Sequence, residues 1–235
     1  MMGARRPAAE EVWLLIPAYN EGPVISSVLE SVRHTGYQVV LVDDCSTDTT
    51  HAEAARHEWV HLLRHPINLG QGAALQTAAE YALAHGAQFL VHFDSDGQHP
   101  IEEVPLLLRT LIRSRSDVVL GTRFPRGRMT VGGMPPIKRL VLRLATLYTR
   151  LTTGLAVTDT HNGFRAMTAD AARKIVITQN RMAHASEILH LIARHRLRYR
   201  EVPVTIRYTE YSMAKGQSIW NAVNILWEDL LYRRG

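Results

Sequence analysis

Short, mostly apolar runs that alternate with helix-patterned segments are what most limits how this chain can fold. Val12 to Ile16, Val39 to Val42, Val60 to Leu63, Phe89 to Phe93 and Val118 to Leu120 read as strands, the first ending at Pro17. Between them, residues 23–34 place Val24, Val28 and Val32 on one helical stripe. Thr47 to His57, the alanine-rich Gly70 to Ala84, and 102–113 also read as helices. Pro105 is tolerable because it falls near a first turn. Strands spaced by helices in this way predict an α/β fold around a largely parallel sheet.

The second half is less regular. Residues 123–136, rich in Gly, Pro, Arg and Met, read as a loop, followed by a helix over 138–152 and a loop over 154–163. Phe164 to Met167 reads as a strand, 169–176 and 184–195 as helices, 199–207 as a strand and 217–232 as a final helix. No composition break separates a second domain. The expected organisation is a flexible tail at 1–10, one domain at 11–210, and an amphipathic helix within 211–235 for packing, dimer or membrane contact.

Composition narrows the classes. With 46% hydrophobic residues in 235, the chain can fill a sizeable core, which excludes global disorder. Its single cysteine, Cys45, excludes an intramolecular disulfide framework and a Cys-rich metal cluster. No stretch approaches the roughly 18 uncharged apolar residues of a spanning helix. The start, MMGARRPAAEEV, has no apolar core of a signal peptide behind it. These features predict a cytoplasmic protein, peripheral at the cytoplasmic face of the membrane. A net charge of +5 favours anionic partners: phosphates, nucleic acid or an acidic membrane surface.

Two acidic turns stand out. Asp94-Ser95-Asp96-Gly97-Gln98-His99-Pro100 directly follows a strand, where parallel sheets present ligand groups. Two carboxylates two residues apart can converge on one hard cation, and Mg²⁺ or Mn²⁺ suits such oxygens. A turn of this type also caps helices. Asp43-Asp44-Cys45-Ser46-Thr47-Asp48 follows another strand in the same way and can face the same cleft. There Asp43 or Asp44 can bind a base or ribose, while Thr47 and Asp48 suit capping. Pro17-Ala18-Tyr19-Asn20-Glu21 offers a rigid break and an aromatic plane. The glycines of Asn68-Leu69-Gly70-Gln71-Gly72 permit close approach of a diphosphate or sugar. Neither GxxxxGK[ST] nor GxGxxG occurs, which lowers the odds of an ATPase or a nicotinamide enzyme.

From Val118 to Thr158 there is no acidic residue, but there are seven basic ones: Arg123, Arg126, Arg128, Lys138, Arg139, Arg143 and Arg150. At about 100° per residue, Arg139, Arg143 and Arg150 fall within about 40° of one another. Leu140, Leu144, Leu147, Tyr148 and Leu151 flank them, a pattern suited to anionic lipid or to a solvated face on a core helix. On 217–232, Ile219, Val223, Leu226 and Leu230 with Trp220 and Trp227 suit core, oligomer or interfacial packing. His184 and Glu187 lie one turn apart. His161 has no paired histidine spacing and reads as a surface or packing residue.

As an ordered set these stretches resemble family 2 glycosyltransferases of the polyprenyl-phosphate type, which include the dolichyl-phosphate mannose synthases. The resembling segments are IPAYNE (16–21), VDDCSTD (42–48), NLGQGAAL (68–75), DSDGQHP (94–100), GTR (121–123), DTHNGFR (159–165) and EVPV (201–204), with YTEYSMAKGQS (208–218) similar to bacterial tails. The resemblance implies a GT-A-type nucleotide-diphosphosugar fold, mainly parallel, flanked by helices. It implies that Pro17, Tyr19, Glu21 and Asp44, with Gly70 and Ser95, line the nucleotide pocket. Asp94 and Asp96 would hold Mg²⁺ or Mn²⁺, with Gln98 nearby. Asp96, Asp159 and Arg123 would be catalytic, with Arg123, Arg139, Arg165 and Lys215 at the acceptor; Glu187 is a further carry-over. Cys45 stands where glycine is common, Asn162 where many members have serine, and the spanning helices of several relatives have no counterpart.

The implied activity is inverting transfer from a nucleoside diphosphate sugar, UDP-sugar ahead of GDP-sugar, to a polyprenyl phosphate. A small membrane protein partner and self-association stay open, and no nucleic acid is expected. The alternatives are a saccharide or other hydroxyl acceptor in cell-envelope polysaccharide synthesis, and a non-enzymatic nucleotide or nucleic-acid binder.

Overall fold

The computed structural model describes residues 7–125, 136–160 and 162–207, and of 136–142 the backbone alone. The expectations for the N-terminal tail before residue 7, for Arg126, Arg128, His161 and Lys215, for the tail segment 208–218 and for the helix at 217–232 lie outside the described residues. So do those for the side chains of Lys138, Arg139 and Leu140.

A seven-stranded sheet forms the centre. Its strands are β1 (Val12–Ala18), β2 (Gln38–Asp43), β3 (His61–Arg64), β4 (Phe89–His92), β5 (Val118–Thr122), β6 (Arg165–Thr168) and β7 (Tyr199–Pro203). The spatial order is β3-β2-β1-β4-β6-β5-β7. All neighbours are parallel except at β6, which runs against both β4 and β5. The expected mainly parallel α/β architecture is therefore present, with one reversed strand near the middle.

The helices are α1 (Ile25–Arg33), α2 (Thr50–Ala55), α3 (Gln71–Ala84), α4 (Val104–Arg113), α5 (Pro136–Thr153), α6 (Ala169–Ala172) and α7 (His184–Arg194). On one face of the sheet, Ile25, Val28, Leu29 and Val32 of α1 and Val104, Leu107, Leu108 and Leu111 of α4 cover Leu14, Ile16, Leu41, Val91 and Val119. On the other, Ala74, Leu75, Ala78 and Ala82 of α3 and Ile188, Leu189 and Ile192 of α7 cover Leu15, Val40, Val42, Leu90 and Leu120. Small alanines let α3 lie close to the sheet, and every residue of β1 is buried, as a strand covered on both faces requires.

Several element ends differ from the sequence reading. β1 continues through Pro17 to Ala18. The Pro17 carbonyl accepts from Ser95 Oγ at 2.8 Å on the β4 side, where the ladder has already ended at Leu15 and His92, so its missing N–H costs no bond. α2 starts at Thr50 rather than Thr47, because the residues before it are tied to the loop after β1. β7 stops at Pro203, opposite Thr122, the last residue of β5, whose carbonyl accepts a final bond from the Val204 N–H at 3.1 Å. Among the described residues no helix is long and apolar enough to cross a membrane.

Candidate active site

The parallel strands β1, β2, β4 and β5 end on one rim, and reversal of β6 brings its first residue, Arg165, to the same rim. The loops after β1 and β2 are laced together there. Asn20, at φ 54°, donates its N–H to Ser46 Oγ at 3.0 Å and accepts from the Thr47 N–H at 2.9 Å. The Gly22 N–H reaches Asp48 Oδ2 at 3.0 Å, Thr50 donates its N–H to Asp48 Oδ1 at 2.9 Å, and the Thr50 hydroxyl bonds the same oxygen. The Glu21 N–H meets Thr50 Oγ1 at 2.7 Å. Tyr19 stands 43% exposed beside this lattice.

Asp44 is fully engaged inside the protein. Its Oδ1 pairs with His65 Nδ1 at 2.7 Å and accepts the Leu69 N–H at 2.9 Å, while Oδ2 accepts the Gly70 N–H at 2.6 Å. Asp44 thus holds the 68–70 turn that walls the rim. Asp43 is equally buried, accepting the Ser46 N–H at 2.9 Å and pairing with Arg64 at 3.2 Å. The glycines of the next turn are used differently from the expectation. A Cβ at Gly70 would sit 2.4 Å from Asn180 O, and one at Gly72 2.0 Å from Gln179 O. Asn180 O also accepts the N–H groups of Gly72 and Ala73 at 2.7 and 3.2 Å, so a protein carbonyl already caps α3. Glu187 fixes that carbonyl's loop by accepting from the Thr178 and Gln179 N–H groups at 3.1 and 2.9 Å.

Asp94 and Asp96 share the turn after β4. The Gln71 side chain donates to Asp94 Oδ1 at 3.2 Å, and the Asp94 N–H donates to His99 Nδ1 at 3.2 Å. His99 stacks on Phe164 with ring centroids 4.6 Å apart, which fixes it under the turn. Asp96 accepts the Gln98 N–H at 2.9 Å. Asp94 is pushed up to about 6 by desolvation, with Glu21 adding and Arg165 opposing. Asp96 is likewise pushed up to about 6, by desolvation and then by the charge of Asp94.

A carboxylate pair that resists holding two negative charges fits a cation. Gly163 adds room: a Cβ there would stand 2.9 Å from Asp94 Oδ2. Among the described residues no group of three or more His, Cys, Asp or Glu gathers as a cage. Two carboxylates with open positions match Mg²⁺ or Mn²⁺ held jointly with phosphate oxygens.

Across the rim, the partly buried Arg123 and the buried Asp159 form a bidentate pair. Arg123 Nε donates to Oδ2 at 2.7 Å, Nη2 to Oδ1 at 2.8 Å, and the Arg123 N–H to Oδ2 at 3.1 Å. Two of the three groups expected to be catalytic are therefore together, 36 residues apart in sequence. Arg165 departs from the expectation of an acceptor contact. It is 2% exposed, on the α3 and α7 side of the sheet, with Nη2 3.4 Å from Ala185 O. Desolvation lowers it to about 10 against the pull of Asp94 and Asp159, so it stays charged beneath the acidic turn. Burial also lowers His184 to about 4 and His92 well below the usual histidine range, which keeps both neutral beside Arg165.

On α5, Leu144, Leu147 and Leu151 are 55%, 52% and 78% exposed, while Ala145 and Thr149 face inward. Arg143 is exposed beside them. Arg150 Nε is turned to Val157 O at 2.6 Å, so this arginine also braces the loop leading to Asp159. Sequence reasoning missed His65, Gln71 and His99. Their only sequence signal was position, since each lies in or beside a turn that follows a strand.

The Glycosyl transferase family 2 model matches residues 13–176. A UDP-N-acetylglucosamine–dolichyl-phosphate N-acetylglucosaminyltransferase of Methanococcus voltae is 29% identical over 95% of this chain and 96% of its own. An undecaprenyl-phosphate mannosyltransferase of Micrococcus luteus is 30% identical over 95% of this chain and 99% of its own. Among solved structures, glucosyl-3-phosphoglycerate synthase of Mycobacterium tuberculosis, in complex with Mn²⁺, UDP and glucosyl-3-phosphoglycerate, superposes with a TM-score of 0.68 at 21% identity. It covers 92% of this chain and 78% of that one. The chain belongs to glycosyl transferase family 2, with the GT-A-type fold, and is a glycosyltransferase.

Proposed function

We propose that the protein transfers a sugar from a UDP-sugar to an anionic acceptor, with Mg²⁺ or Mn²⁺ on Asp94 and Asp96, and that the acceptor is a polyprenyl phosphate. UDP is supported by the names of the Methanococcus relative and of the mycobacterial complex, and the latter also supports Mn²⁺. The observation that carries the acceptor is the Arg123–Asp159 pair. A carboxylate whose two oxygens both accept from one guanidinium is poorly placed to take a proton. A phosphate acceptor needs no base, because its second pKa of about 6 leaves it anionic near neutrality.

When bound, the cation neutralises charge developing on the departing diphosphate. The chain's own residues do the remainder. Tyr19 and the laced loops after β1 and β2 hold the nucleoside, and Asp44 keeps the 68–70 turn in place beside it. Arg123 offsets repulsion between the incoming phosphate and the diphosphate. Direct attack on the anomeric carbon from the face opposite the leaving group inverts that centre. The exposed leucines of α5 beside Arg143 suit a lipid surface, which would bring the enzyme to the membrane's cytoplasmic face.

A hydroxyl acceptor is the second reading, and the mycobacterial complex, whose product is glucosyl-3-phosphoglycerate, bears on it more directly than on the first. Asp159 would then have to leave Arg123 to act as base. Incubation with a UDP-sugar panel, Mn²⁺, and either undecaprenyl phosphate, phosphoglyceric acid or an oligosaccharide, read by product mass, decides between them. Transfer to the lipid phosphate alone is expected; transfer to a hydroxyl alone would replace the first reading by the second.

A further inference from the structure

The EVPV segment has no assigned part in the site, yet its first residue makes a dense set of contacts there. Glu201 lies on β7, opposite Leu120 of β5. Its Oε1 accepts the Thr158 N–H at 2.7 Å and its Oε2 the Thr158 hydroxyl at 3.0 Å. The Asp159 N–H adds a further bond to the same carboxylate. Thr158 Oγ1 lies 2.8 Å from Thr122 Oγ1, which accepts the Phe124 N–H at 3.0 Å. Arg123 sits in the middle of that Thr122–Phe124 turn.

A carboxylate can only accept, so it imposes one direction on the hydroxyls. Thr158 donates to Glu201, Thr122 donates to Thr158, and Phe124 donates to Thr122. Every polar group in the row is satisfied in that order and in no other. The row begins on one member of the ion pair's turns and ends on the other.

We propose that Glu201 is a positioning residue for the Arg123–Asp159 pair, holding the turn of Asp159 directly and the turn of Arg123 through two threonine hydroxyls. Glutamine at 201 keeps the shape but supplies a donor where Thr158 needs an acceptor, which reverses the row and leaves the Thr122 hydroxyl proton without its place. Alanine removes the anchor outright. Glu201 touches neither metal carboxylate, so its effect belongs to the acceptor side of the rim.

The inference rests on the proposed roles of Arg123 and Asp159, and its test has one arm that needs no acceptor. Hydrogen exchange at the Arg123 Nε–H, followed by ¹⁵N NMR, reports the pair itself. Glu201→Ala should speed that exchange by about tenfold or more, with Thr158→Val acting in the same direction, while the buried amides of Leu15 and Val40 keep their protection. In the second arm, Glu201→Ala should lower kcat about 100-fold with the KM for UDP-sugar within about threefold, and Glu201→Gln should fall between it and the wild type. Unchanged exchange at Arg123 in both Glu201→Ala and Thr158→Val, or an equal loss of protection at Leu15 and Val40, would overturn the proposal. If the exchange arm succeeds and no transfer is seen even in the wild type, the acceptor reading fails and the positioning role stands.

Discussion

The two halves of the rim are built on different plans. On the β2-β1-β4 side, parallel strands end in loops that bond mainly to each other, through Asn20, Ser46, Asp48 and Thr50, and through Asp44 to Leu69 and Gly70. On the β6-β5-β7 side, a reversed strand and an edge strand bring together Arg123, Thr158, Asp159 and Glu201 over separations of 36 and 43 residues. The first half, proposed above as the donor side, is made of short sequence motifs. The second joins residues farther apart in the chain, from β5, the loop before β6 and β7. Changes to the donor half should therefore act on binding of nucleotide and metal, and changes to the acceptor half on turnover.

Loss of Asp96 should have the largest effect. Asp96→Asn is expected to cost about 1,000-fold or more in kcat/KM, since a cation contributes several kcal/mol to stabilising the leaving group. Arg123→Lys tests the other half. It keeps the charge but loses the bidentate fork, and about a 100-fold fall in kcat with little change in UDP affinity is expected. A large loss of UDP affinity in that variant would erase the distinction between the halves.

Acidity sharpens the contrast further. Burial, with repulsion from Asp94 adding at Asp96, pushes Asp94 and Asp96 up to about 6, so Mn²⁺ affinity, measured by electron paramagnetic resonance of free Mn²⁺, should fall as pH is lowered through this range. The stability of the metal-free protein has two opposing parts. The carboxylates are raised above their unfolded value, so the folded state binds more protons than the unfolded one and this pair adds stability as pH falls. His92, His99 and His184 are lowered, so they remove stability over a range from about 6.5 downward. Asp94→Asn with Asp96→Asn takes away the first part and, because the Asp96 charge otherwise raises His99, enlarges the second, so it should steepen acid unfolding, read as Tm against pH.

Replacing Leu144, Leu147 and Leu151 by serine should weaken binding to anionic vesicles by about tenfold, with Tm and UDP binding unchanged. The smallest effect concerns Cys45, which sits at φ 62° in the left-handed region. Cys45→Gly should stabilise the donor half by up to about 1 kcal/mol in denaturant unfolding, because relief of backbone strain exceeds the added chain entropy of glycine.

The donor half was largely legible in the sequence for a physical reason. Where a buried parallel strand ends, the turn that follows must face the rim, so Asp94, Asp96, Asp44 and Tyr19 could be placed by counting from apolar runs. The use of those residues was less legible. Asp44 was expected at the nucleotide and turned out to spend its carboxylate on His65, Leu69 and Gly70, partners 21 to 26 residues away. Gly70 and Gly72 were read as room for a ligand, and the neighbour they admit is the backbone of 179–180. Arg165 was expected at the acceptor because nothing local marks it as buried; only reversal of β6 puts it beneath Asp94. The Glu201 row joins the end of β5, the loop before β6 and the middle of β7, and no local pattern announces it.

Titration of the intact protein with UDP-sugar, with and without Mn²⁺, tests the central claim most directly when it is repeated on the Asp94→Asn, Asp96→Asn double variant. Calorimetric binding that depends on Mn²⁺ in the wild type and disappears in the double variant, with the circular dichroism of the fold retained, is the predicted result. Equal Mn²⁺-dependent binding by both proteins would contradict a donor site built on those two carboxylates.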